Sequence, residues 1–204
     1  MSLKPGFARW QFYFRKLGVT YYWCTKAAGT SISRSLATPL DKKNEHRWFE
    51  LNKKFNSEGL FSITSCRNPW DRLVSSFFSA KQKNANPSSL IFNQLGLTTG
   101  SSFEAFVEAI TSTDPDKLNW HVVPQVYLSP KNVDFVIRFE YILYHWKKLQ
   151  QKFPVGELQI TNKSSHNIYL EYYTQKTYDA VGRYYLEDVM RFNYVSELQR
   201  RINR

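Results

Sequence analysis

The chain has 204 residues, 42% hydrophobic and 17% aromatic, which suits one domain with a proper core and excludes a wholly disordered chain. Lysine and arginine number 28 against 17 acidic residues, a formal net charge of +11. That balance serves solubility or draws the surface to polyanions such as nucleic acid, anionic lipid and sulfated or phosphorylated ligands. Cys24 and Cys66 are too few for a disulfide framework and belong to no C-x-x-C pair, and no segment approaches a run of about 18 apolar residues. The expectation is a soluble, cytoplasmic chain with reduced thiols, no membrane span and no secretory leader.

In chain order, "GVTYYWC" (18–24) is β-branched and aromatic and predicts a first strand. It runs into "CTKAAGTSISRSL" (24–36), where Ile32 and Leu36 are spaced as a buried helix face. Residues 41–56 predict a charged surface helix, and "LFSITSC" (60–66) a second strand. Pro69 fits the first turn of the helix that follows, where a missing N–H costs nothing. Residues 83–102, rich in Asn, Ser, Thr and Gly, predict a long mobile loop of the kind that caps a site. A short helix at 103–111, a third strand at 133–139 and a helix behind it follow. "ELQI" (157–160) predicts a fourth short strand, and 174–202 a largely helical tail with Tyr178, Val181, Tyr185 and Val189 packed. Alternating strands and helices imply an α/β fold with a central parallel sheet covered by helices. Ligands in such folds bind beyond the carboxyl ends of the strands, where Lys26 and Arg67 both fall.

Two segments carry the chemistry. A helix N-terminus presents amides and a partial positive charge to anions. Gly29 admits close approach, Thr30 and Ser31 add hydroxyls, and Lys26 adds a point charge. The order differs from the familiar nucleotide loop, whose lysine follows its last glycine; a plain capped turn with a surface lysine is the competing reading. In "SCRNPWDRLVSSFF" (65–78), Arg67 can grip a phosphate bidentately and Ser75 lies on the next helix. The competing reading there is a solvated Asp71 and Arg72 and a buried helix serine at 75.

Together, the lysine-first Gly-Thr-Ser loop and Arg-Asn-Pro-Trp-Asp-Arg-Leu-Val-Ser resemble the two signatures of sulfotransferases that use 3′-phosphoadenosine 5′-phosphosulfate (PAPS), closest to the carbohydrate and heparan branch. "HVVPQVYL" with "VDFVIRFEYI" (121–142) and "NKSSHNIYLEYYTQKTYDAVGRYYLEDVMRFNY" (162–194) resemble that branch too, in the family's order. The resemblance implies a P-loop-like three-layer fold, one domain over 1–204, and a first loop holding the 5′-phosphosulfate. It assigns Lys26 to the bridging oxygen and sulfonate, and Ala28, Gly29, Thr30 and Ser31 to the phosphate cradle. Arg67 and Ser75 are assigned to the 3′-phosphate, while Lys163 and Ser164 form a polar loop over the nucleotide. The alanine pair at 27–28 departs from many relatives, and a backbone cradle tolerates it.

Sulfuryl transfer, by analogy with phosphoryl transfer, is positioning plus charge stabilisation, and the resemblance invokes no metal. The acceptor is a hydroxyl, with sugars ahead of tyrosine or lipid, and no nucleic-acid-binding motif is visible. An acceptor hydroxyl needs a general base. His46 stands close to where heparan-type relatives place a catalytic histidine. His121, opening the H-x-x-P-Q segment, is second, and a carboxylate such as Glu45, or no side-chain base at all, third; His145 is read as structural. Two other functions remain open: a P-loop-like nucleotide kinase or hydrolase, disfavoured by the absence of a Walker lysine, and a non-enzymatic polyanion binder.

Overall fold

The computed structural model describes residues 11–37, 59–82, 90–161 and 167–202. Its elements in chain order are β1 (Gln11–Phe14), β2 (Val19–Tyr22), α1 (Gly29–Ala37), β3 (Phe61–Cys66), α2 (Pro69–Lys81), α3 (Leu90–Gln94) and α4 (Phe103–Thr111). Then come β4 (Phe135–Arg138), α5 (Ile142–Lys152), α6 (Gln175–Tyr184), α7 (Leu186–Arg191) and α8 (Val195–Leu198). They fall into two compact units: Met1–Arg67 with Gln125–Lys163, and Asn68–Pro124 with Ser164–Arg204.

The first unit holds a four-stranded sheet in the order β1-β2-β3-β4. The pairs β2–β3 and β3–β4 are parallel, with Tyr21 opposite Ile63 and Ile63 opposite Phe135. β1 pairs antiparallel with β2, Phe12 opposite Tyr21, so the sheet is mostly rather than wholly parallel. "QFYF" escapes a sequence reading because four consecutive residues with no polar alternation carry little period-2 signal. Successive strand residues point to opposite faces. Val19, Tyr21, Ile63 and Ile137 accordingly share one face and form a single cluster with Ile32 and Leu36 of α1 and Trp146 and Leu149 of α5. Each such aliphatic side chain stabilises the fold by about 1.5–3 kcal/mol when fully buried.

"ELQI" is not a strand: residues 157–160 have no ladder partner. Two serines one helical turn apart hold the segment instead. Ser35 Oγ accepts from the Gln159 amide at 2.8 Å, and Ser31 Oγ from the Thr161 amide at 3.0 Å. Side-chain hydroxyls thus satisfy backbone donors that a ladder would otherwise pair. At the other end of α5, the Arg138 amide closing β4 donates to His145 Nδ1 at 3.0 Å.

The second unit is built on α2. Asn68 caps it, its Oδ1 accepting from the Trp70 amide at 3.0 Å and the Asp71 amide at 3.4 Å, with Pro69 in the first turn as expected. Trp70 is fully buried, donates its indole N–H to the Tyr178 carbonyl at 2.9 Å and stacks on the Tyr178 ring at 4.7 Å. Gly182 of α6 lies close against this packing: a Cβ there would be 3.0 Å from Trp70 and 3.1 Å from Leu198, so a neighbour would have to give by a few tenths of an ångström. Tyr178, Val181, Tyr185 and Val189 are all buried, as their spacing predicts.

The stretch 90–102 departs from a bare loop. α3 buries Ile91 and Phe92, and Phe92 meets Phe77 edge to face at 5.9 Å; two apolar residues within a polar stretch suffice to pin it. Residues 83–89 and the charged segment 41–56 lie outside the described residues. Among the described residues no helix is long and apolar enough to cross a membrane.

Candidate functional site

The site in the first unit begins where β2 ends. Between Tyr22 and α1 the chain turns through Lys26 and Ala28, both left-handed, with φ of 61° and 60°. Among the described residues only Asn193 shares that state without being glycine. A left-handed residue with a side chain costs on the order of 1–2 kcal/mol, and strain of this kind clusters at binding and catalytic sites. The first ladder bond of α1 runs from the Ile32 amide to the Ala28 carbonyl at 3.0 Å. The amides of Gly29, Thr30 and Ser31 therefore precede the ladder, in the position from which helix N-termini bind anions.

Gly29 meets a packing requirement that its sequence context does not announce. A Cβ at position 29 would lie 2.1 Å from Nε1 of Trp23, so the glycine makes room for the indole. Lys26 and Thr30 are half-buried and Ser31 is buried, its hydroxyl sharing a 3.2 Å hydrogen bond with Thr161 Oγ1.

β3 delivers the second component. Its parallel neighbour β2 ends on the same edge, so Arg67, one residue past β3, meets the lysine loop. Arg67 is 5% exposed and its Nη1 donates to the Lys26 carbonyl at 3.1 Å. Its guanidinium carbon sits 4.1 Å from the centre of the Phe139 ring, a cation–π contact that fixes the plane of the fork. Gln125 is bonded to the Arg67 backbone at both ends of its amide. The phenol of Tyr21, fully buried and 2.7 Å from Ser65 Oγ, is pushed far above its ordinary pKa by burial. It stays neutral and is no base.

In the second unit, Ser75 of α2 is 2% exposed. Arg72 is equally buried rather than solvated, and its Nη1 donates to the Val123 carbonyl at 2.8 Å. One turn on, Ser76 Oγ donates to the His121 carbonyl at 3.1 Å. His121 itself is 8% exposed. Asn119 Oδ1 accepts both the His121 amide at 3.0 Å and His121 Nδ1 at 2.9 Å. An oxygen that takes a backbone N–H is an acceptor, so Nδ1 carries a ring proton and donates to Asn119.

The profile of the Sulfotransferase family matches residues 6–201. The chain belongs to the sulfotransferase family. Comparison with curated proteins and with solved structures finds no match. As a sulfotransferase the chain is an enzyme that moves a sulfuryl group, and the family has a hydroxyl acceptor as its counterpart.

Of the residues that sequence reading singles out, this sulfotransferase gathers Lys26, Ala28, Gly29, Thr30, Ser31 and Arg67 beyond the carboxyl ends of β2 and β3, in the first unit. Ser75 and His121 belong to the second unit. His46, Lys163 and Ser164 lie outside the described residues, as does Glu45. His145 Nδ1 accepts a backbone N–H, and burial is the leading cause holding its pKa below the ordinary value; it joins β4 to α5 as a neutral ring. Sequence reasoning missed the left-handed Lys26 and Ala28, which no glycine marks, as well as Trp23 and Gln125. For Gln125 the available signal was its place in the quoted H-x-x-P-Q segment.

Proposed function

We propose that this sulfotransferase takes its sulfuryl group from PAPS and delivers it to a carbohydrate hydroxyl, releasing adenosine 3′,5′-bisphosphate. The frame for this reading is a P-loop-like three-layer domain spanning 1–204. Its main support is the Arg67–Lys26 contact at 3.1 Å, which sets two cationic residues beside the amides that open α1. Cations, helix-start amides and a left-handed turn are all donors toward anionic oxygens, so the residues fit a ligand with phosphates at two positions.

PAPS supplies an activated sulfuryl group. Lys26 and the amides of Ala28, Gly29, Thr30 and Ser31 hold the 5′-phosphosulfate end and meet charge that builds on the leaving phosphate. Arg67 and Ser75 hold the 3′-phosphate, with Lys163 and Ser164 over the nucleotide. In the transfer the acceptor oxygen bonds to sulfur, the sulfur–oxygen bond to the phosphate breaks, and the acceptor proton passes to a base. His46 is the first choice for that base. His121 is the second, its ring held through Nδ1 by Asn119.

Calorimetry with adenosine 3′,5′-bisphosphate in the absence of Mg²⁺ tests the donor. Tight binding supports PAPS use; selectivity for ATP–Mg²⁺ would replace it with nucleotide kinase or hydrolase chemistry. Transfer of label from PAPS across a panel of glycan acceptors then identifies the hydroxyl. A His46→Ala variant that keeps wild-type kcat removes His46 as base, and the same result for His121→Ala removes His121.

A further inference from the structure

We infer that Gln125 is a positioning residue for the transfer, locking the chain at Arg67 to the end of β2 so that Lys26 and Arg67 grip one ligand in fixed register. The inference rests on the reading of these two residues as the PAPS site.

β3 leaves its ladders before the residue that matters. Its last pair with β2 is Tyr22–Thr64 and its last pair with β4 is Cys66–Arg138, so Arg67 stands beyond both neighbours. The side chain of Gln125 takes the place of a neighbouring strand there. Its Oε1 accepts from the Arg67 amide at 2.9 Å, and its Nε2 donates to the Arg67 carbonyl at 2.9 Å. The same Oε1 accepts from Cys24 Sγ at 3.4 Å, two residues past the end of β2. One amide thus spans the two strand ends from which the lysine loop and the arginine emerge, and Arg67 Nη1 closes the circuit on the Lys26 carbonyl.

Gln125 is 1% exposed, so water does not replace these bonds once they are lost. The chemistry is specific to glutamine. Leucine has the bulk with neither donor nor acceptor, and ionised glutamate accepts without donating to the Arg67 carbonyl. Only a side chain that donates and accepts at this reach fixes both sides of one peptide residue. A guanidinium displaced by about 1 Å is enough to lose on the order of a hundredfold in a positioned reaction.

The test compares adenosine 3′,5′-bisphosphate with adenosine 5′-monophosphate as calorimetric probes of the full chain. The ratio of the two affinities reports the 3′-phosphate contact alone, and general destabilisation leaves it unmoved at temperatures where the variant is folded. Gln125→Leu is expected to lower that ratio about tenfold, the scale of one or two buried hydrogen bonds. Gln125→Glu is expected to lower it at neutral pH and to regain it on acidification relative to wild type, as the buried carboxyl takes up a proton and becomes a donor.

A folded Gln125→Leu protein with the wild-type ratio overturns the inference. Should Gln125→Leu fail to fold, Gln125→Glu decides, and the absence of any recovery on acidification overturns it. A wild-type chain that binds neither probe removes the PAPS reading itself, a result distinct from an unchanged ratio in the variants.

Discussion

The guanidinium of Arg67 donates to the backbone carbonyl of Lys26 at 3.1 Å, so the residue that follows β3 holds the loop that follows β2. Both residues therefore follow one parallel strand pair, and this bond ties the Arg67 side chain to the backbone of the lysine loop.

Replacing Arg67 tests this relationship directly. A lysine offers a point charge where the arginine offers a planar fork, and it lacks the second nitrogen that leaves one arm for the Lys26 carbonyl and another for a phosphate. Arg67→Lys is expected to weaken adenosine 3′,5′-bisphosphate binding about tenfold and Arg67→Ala about a hundredfold, the range of hydrogen bonds to charged groups. Calorimetry reads both, and unchanged affinity in Arg67→Ala takes the residue out of the site.

Gly29→Ala drives a methyl group to 2.1 Å from the Trp23 indole. Overpacking of this kind destabilises by about 1–3 kcal/mol. In a Trp23→Ala background the same substitution should cost nearly nothing, because the indole is gone. Urea unfolding of the two single variants and the double variant measures the coupling; additive effects would show that the contact is not what requires glycine.

Ser35→Ala removes the acceptor of the Gln159 amide. The expected loss is about 1 kcal/mol of stability, one net hydrogen bond, with adenosine 3′,5′-bisphosphate affinity unchanged. Thermal melts and calorimetry on the same sample check the two halves. A fall in affinity would make the 157–161 segment part of the site.

His145 gives the fold an acid limit. Its pKa is held below the ordinary 6.5, first by burial and then by Lys148 and Arg138. A histidine with a depressed folded pKa binds more protons when unfolded, so its contribution is complete above 6.5 and is lost as pH falls below it toward the folded value. Melting temperature should decline over that interval. His145→Gln, which can still accept the Arg138 N–H, should flatten the decline, and an unaltered profile would assign it to other groups.

Much of this was legible in the linear chain. β-branched and aromatic runs marked β2, β3 and β4. Asn68-Pro69 marked the start of α2, and the spacing of Tyr178, Val181, Tyr185 and Val189 marked a buried helical face. These signals are local: they arise from backbone sterics, capping chemistry and the period of one element. "ELQI" misled because its composition suits a strand while, among the described residues, it joins no sheet and its Gln159 amide goes to Ser35 instead. Lys26 and Ala28 gave no sign of their left-handed backbone, since that state is usually announced by glycine and here the glycine serves Trp23 instead.

The sequence by itself determined the family, the run of β2, α1, β3, α2, β4 and α5, and the cationic residues that follow the strands. It did so because motif spacing and hydrophobic periodicity are properties of neighbouring residues. Tertiary structure alone decided that β1 runs antiparallel, that Gly29 yields to Trp23, that Arg67 closes on Lys26, and that Gln125 stands in for a strand. Each of these is a contact outside the period of a single element, and the last two join residues 41 and 58 positions apart in the chain, where packing and unsatisfied backbone groups select the partner.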